Sequence, residues 1–157
     1  SNTITVNATV ARPGVAIGRG GEGIDTIKTY LSRKFQAPID LKIHEVKKPD
    51  TSARVIARTI VEGMERRRSP KRLMVTEKEK AINAGAKGIK IWISGDFGVP
   101  KQSRTLKVEE GEVPLQTLRA GIDYASEVAQ VRNAGLHGVK VWVFRGDDEE
   151  EESSGKE

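Results

Sequence analysis

The chain has 157 residues, with 27 Lys and Arg, 22 Asp and Glu, two His and no Cys. That length fits one ordinary domain or two small ones. The missing cysteine excludes disulfides, thiolate zinc sites and cysteine nucleophiles, and two histidines, His44 and His137, are too few for a histidine-built metal centre or triad. Residues 147–157 hold seven acids and one base, so residues 1–146 carry 26 bases against 15 acids, or +11, although the whole chain is only +5. A body at that charge favours an anionic partner, nucleic acid first and an acidic membrane surface second. There is no signal-peptide pattern and no apolar run near about 18 residues, so a soluble, non-secreted protein is expected. At 36% hydrophobic and 4% aromatic it can build a core, but a thin one.

Thr3 to Val10 alternates strictly, with Ile4, Val6, Ala8 and Val10 on one face, which predicts a half-buried strand. Pro13-Gly14 breaks it. The short apolar turn Val15-Ala16-Ile17 then runs into Gly18-Arg19-Gly20-Gly21-Glu22-Gly23. Ile24, Ile27, Leu31 and Phe35 recur at helical spacing, with Lys28, Arg33 and Lys34 on other faces. Ile39, Leu41 and Ile43 form a second alternating strand. Lys47-Lys48-Pro49-Asp50 reads as a linker in which Asp50 caps the next helix. That helix carries the stripe Ala53, Ile56, Ala57, Ile60 and Met64 and ends in Arg66-Arg67-Arg68. Ser69-Pro70 restarts a helix, with proline where no amide donor is needed, and Gly85 stops it.

Beyond Gly85 the period changes from helical to alternating. Ile89, Ile91 and Ile93 mark a strand, Gly95-Asp96-Phe97-Gly98 a turn, and Arg104 to Glu109 a weaker strand. Pro114 to Leu118 is a turn, Ala120, Ile122 and Tyr124 start another alternation, and Val139 to Phe144 is the last strand. Residues 85–93 are echoed at 135–143; two copies are too few for a solenoid, so they read as two similar strands of one sheet. Two helices followed by about four strands predict an α+β layer. From Asp147 the tail is acidic, without an apolar residue, and is expected to be disordered.

Gly18, Gly20 and Gly23 satisfy the dinucleotide fingerprint G-x-G-x-x-G. The strand before them is half polar, however, and eight residues separate it from the second glycine, where the fingerprint needs an immediate turn. The other reading is the G-x-x-G loop of a KH domain, Gly18-Arg19-Gly20-Gly21, set between two helices. Glycines let backbone amides approach a nucleic-acid backbone, and Arg19 adds a phosphate contact. The structural alternative is a plain turn needing positive φ. Arg66, Arg67 and Arg68 with Lys71 and Arg72 make a dense basic cluster at a helix start, where cations oppose the helix dipole, so an external anion is expected to use them. A solvated helix face is the competing reading. Trp92 and Trp142 interleave with Lys90 and Lys140, as a base-stacking platform or as the cover of a sheet's second face. Glu62, Glu65, Glu77 and Glu79 read as helix-surface charges, and no carboxylate pair points to catalysis.

Four segments carry a resemblance. Ala11 to Glu22 resembles the KH segment of the bacterial-type small-subunit ribosomal protein three, the universal family uS-three. In the second half, Gly85 to Lys90, Val113 to Ala120 with Ile122 to Tyr124, and Gly138 to Phe144 follow the same family's pattern in order. The resemblance implies an α+β fold. Its parts are an N-terminal type II KH domain lacking its first helix and strand (residues 1–48), an α+β C-terminal domain with two helices and a mostly antiparallel sheet (49–146), and an acidic tail (147–157). Type II KH domains start with a helix and a strand ahead of the strand that opens this chain, so the natural protein is expected to extend upstream.

The resemblance further implies a non-enzymatic constituent of the small-subunit head, in a bacterial cytoplasmic or an organellar ribosome. Its expected partners are small-subunit ribosomal RNA, messenger RNA on the path by which it enters, and neighbouring head proteins. No cofactor, metal or membrane partner is expected. The RNA-binding residues it points to are Gly18, Arg19, Gly20, Gly21, Lys28, Arg66, Arg67, Arg68, Lys71 and Arg72. Lys71 and Arg72 match two basic positions that family members use to unwind messenger, and the third is Val75 here. In the loop, Gly20 stands where the family usually has a second basic residue. A free-standing KH-type regulator of RNA is the rival reading, and a dinucleotide-binding enzyme a distant third.

Overall fold

The computed structural model describes residues 3–98 and 101–147. The chain divides into two compact units between Lys47 and Lys48. The first contains β1 (Ile4–Val10), α1 (Pro13–Ile17), α2 (Glu22–Phe35) and β2 (Ile39–Glu45). β1 and β2 pair in parallel, in register from Ile4 opposite Ile39 to Val10 opposite Glu45. A parallel pair needs a long crossover, which the two helices supply. Val6, Ala8 and Val10 on β1, and Ile39, Leu41 and Ile43 on β2, are half-buried while their alternate neighbours are exposed. None of this unit's described residues is fully buried.

The second unit contains α3 (Ala53–Glu65), α4 (Pro70–Asn83), β3 (Gly88–Asp96), β4 (Ser103–Gly111), β5 (Ala120–Val131) and β6 (Gly135–Asp147). The four strands form one antiparallel sheet in the order β4-β3-β6-β5. α3 lies on β5 and β6, and α4 on β3 and β4. The core is the α3 stripe, Ile56, Ile60 and Met64, set against Ile89, Ile91 and Ile93 of β3 and Val139, Val141 and Val143 of β6. The two echoed segments are the two central strands. They cross antiparallel, with Ile91 opposite Val141 and Ile89 opposite Val143, so the repeat packs against its own copy.

Several local expectations need correction. Asp50 does not cap α3. Pro49–Thr51 is a short 3-10 turn, Ser52 occupies the cap position without a side-chain bond, and the first helical amide, Ala53 N–H, donates to Asp123 Oδ2 on β5 at 2.8 Å. Glu77 is not a surface charge: it is 6% exposed and pairs with Lys80 Nζ at 2.7 Å. The alternation in β5 is real, but its large members, Ile122 and Tyr124, face away from the helices. The helix-facing side carries Ala125 and Ala129, both buried. The last strand is longer than Val139 to Phe144 and runs through Asp147; residues 148–157, the rest of the acidic tail, lie outside the described residues. Among the described residues, no helix is long and apolar enough to cross a membrane.

Candidate RNA interface

In the first unit the glycine loop joins α1 to α2. Gly18, Gly20 and Gly21 have φ of 72°, 64° and 88°, backbone that side chains other than glycine's rarely adopt. A Cβ on Gly20 or Gly21 would meet nothing within 4 Å, so the loop's outer surface is open. Gly23 differs: a Cβ there would lie 2.5 Å from the Ala16 carbonyl oxygen, so it serves the packing of α2 on α1. Arg19 is the one charged side chain inside the loop, and it is exposed. Lys28 lies in the second turn of α2 and is half-buried. A dinucleotide fingerprint requires strand, turn and helix in immediate succession. Here α1 intervenes between β1 and the glycines, and β1 and β2 form a two-stranded sheet.

In the second unit the arginine run forms the joint between α3 and α4. Arg66 ends α3, and Arg67 is left-handed at φ 61°. Arg67 N–H donates to the Met64 carbonyl at 2.9 Å and Arg68 N–H to the Gly63 carbonyl at 3.0 Å. This is a Schellman closure, with arginine where glycine is usual. α4 restarts at Pro70, with no acid in its first turn. Arg66, Arg67, Arg68, Lys71 and Arg72 are all exposed, and none forms an ion pair among the described residues. The reversal of the chain at Arg67 divides the cluster. Arg66 and Arg72 line a groove of about 460 Å³ between α3 and α4, Arg67 and Lys71 line a second cavity, and Arg68 borders both.

Phe97 and Arg104 also line that second cavity. They lie about thirty residues beyond the basic run and reach it only because β3 and β4 end beneath the joint. No local pattern signals such a meeting.

The aromatic residues on the sheet's open face engage one another. Trp142 lies between Trp92 and Tyr124, with ring centroids 5.1 and 5.2 Å away. Lys107 Nζ sits 4.2 Å and Lys90 Nζ 5.1 Å from the Trp92 ring centroid. The Trp92 indole N–H donates to Glu109 Oε1 at 3.3 Å, and Lys90 pairs with the same oxygen. The Trp92 hydrogen bond first, and Lys90 second, hold the Glu109 carboxyl below the usual glutamate range. Trp92, Trp142 and Lys90 are thus used within the sheet, which favours their structural reading.

Comparison with known proteins matches the profile described as "Ribosomal protein S3, C-terminal domain" to residues 60–143, and a KH domain profile to residues 1–51. The chain is 44% identical over 137 residues to proteins named "Small ribosomal subunit protein uS3" from Burkholderia cenocepacia (strain HI2424), Burkholderia mallei (strain NCTC 10229) and Burkholderia pseudomallei (strain 668). Each alignment covers 87% of this chain and 51% of the relative. The chain therefore spans about half the length of the curated relatives it matches.

Proposed function

The chain belongs to the family of ribosomal protein S3, and from that premise we propose that it is a non-catalytic constituent of the small ribosomal subunit that holds RNA by its phosphates. The observation that carries this reading is the α3–α4 joint. It places five exposed cations on one turn, with no ion pair among the described residues to neutralise them. Lys71 and Arg72 stand in the first turn of α4, where the helix dipole opposes cations, and the crowded charge of all five is stabilised by an external polyanion. The open glycine loop is a second contact, where a phosphate can approach the backbone at Gly20 and Gly21 with Arg19 beside them.

The finer reading is that the joint borders the path by which messenger RNA enters, with Lys71 and Arg72 on its phosphates, and that the molecule works in the ribosome of a bacterial cytoplasm or an organelle beside other head proteins. A free-standing RNA regulator would have the same chemistry but no fixed place. Sedimentation of small subunits in high salt separates the two. The chain should remain with the subunit where loosely held proteins are stripped; recovery entirely in the unbound fraction would favour the regulator.

A further inference from the structure

Beneath the α3–α4 joint lies a cavity of about 450 Å³, a size that admits a small ligand. Its apolar wall includes Leu106, Val131 and Phe97, and its rim holds Arg67, Arg68, Lys71 and Arg104. The Arg104 guanidinium lies over the Phe97 ring, 5.8 Å from the centroid. On another side His137 meets the same ring edge to face, with centroids 5.2 Å apart. His137 is 2% exposed, in space that a Cβ on Gly95 would close at 2.3 Å from its ring. His137 Nε2 lies 2.6 Å from the Asp96 carbonyl oxygen, which can only accept, so Nε2 carries a proton. In the neutral ring Nδ1 is then an acceptor, and it is buried without a partner.

We propose that this cavity takes one unpaired nucleotide of RNA, a reading that rests on the RNA-binding function argued above. A nucleobase offers a flat face for Phe97 and for the Arg104 guanidinium. The nucleotide's phosphate suits Arg67, Arg68 and Lys71 on the rim. A base held in a duplex cannot enter. The joint therefore grips any RNA by charge, and the cavity adds a preference for a strand that has come apart.

The test compares two RNAs on the whole chain: a blunt hairpin, and the same hairpin with a five-nucleotide single-stranded overhang. The parent should bind the overhang form about fivefold or more tightly, the scale of one stacked base. Arg104→Lys keeps the charge and removes the plane, while Phe97→Leu keeps the apolar wall and removes the ring. Both should bring the ratio toward one and leave blunt-hairpin affinity unchanged, with thermal melting confirming that each variant folds. A preference that persists in both folded variants, or a parent without preference, overturns the cavity proposal and leaves the phosphate reading standing. A parent that binds neither hairpin overturns the RNA reading itself.

Discussion

Arg67 sits in left-handed backbone at φ 61°, where any side chain but glycine's is strained by about 1–2 kcal/mol. On the proposed reading, charge at this joint is worth more than backbone comfort. Arg67→Gly should therefore stabilise the second unit by about 0.5–1 kcal/mol in urea unfolding while weakening RNA binding. Loss of stability together with unchanged RNA affinity would mean that Arg67 packs the joint and does nothing more. On the sheet's open face, Glu109 has its carboxyl held low by Trp92 and Lys90. A carboxyl depressed in the folded state adds stability above its unfolded pKa, and that contribution is lost as pH falls through the folded value. Acid titration of tryptophan fluorescence should show a step below the usual glutamate midpoint, and Glu109→Gln should abolish it. A step that survives the substitution assigns it to another group.

At the scale of elements, α3 is tied down by a contact seventy residues away in sequence. Asp123 accepts from Ala53 N–H at 2.8 Å and from Arg145 Nη2 at 2.8 Å, while Arg145 Nε donates to the Thr51 carbonyl at 3.2 Å. One carboxylate thus caps the helix and joins it to β5 and β6. Asp123→Ala should cost about 1–2 kcal/mol, the upper range for a lost cap, and Asp123→Asn distinctly less, since its amide oxygen can still accept. Equal losses in thermal or urea melts would shift the weight from the cap to the Arg145 pair. Asp50 was the cap expected from sequence because caps are local in most helices. The actual one is contributed by another strand, and no local pattern reveals it. β5 shows the same limit differently. Alternation says that a strand has two faces, but it does not say which face meets a helix. α3 approaches the small Ala125 and Ala129, leaving Ile122 and Tyr124 on the other side. Where one periodicity had one interpretation, as in the α3 stripe, the isoleucines of β3, the Pro70 start and the Gly85 stop, sequence and structure agree.

On the scale of the whole molecule, the two units differ in how they bury apolar surface. The fully buried side chains begin at Thr51, and the hydrophobic core belongs to the second unit. Small units bury a smaller share of their surface and are correspondingly marginal, so the glycine loop rests on the weaker scaffold and the cationic joint on the stronger. Residues 1–146 carry a net +11, and on the proposed reading that field draws RNA from a distance while the joint supplies fixed contacts at close range. The central claim is that these contacts are phosphate contacts. The direct measurement is the salt dependence of RNA affinity for the parent and for the variant with Arg67, Arg68, Lys71 and Arg72 all changed to Gln. If the four cations neutralise phosphates, the slope of log K against log salt should become shallower by about 3 in the variant, with its melting transition retained. A folded variant whose slope equals the parent's would contradict the account.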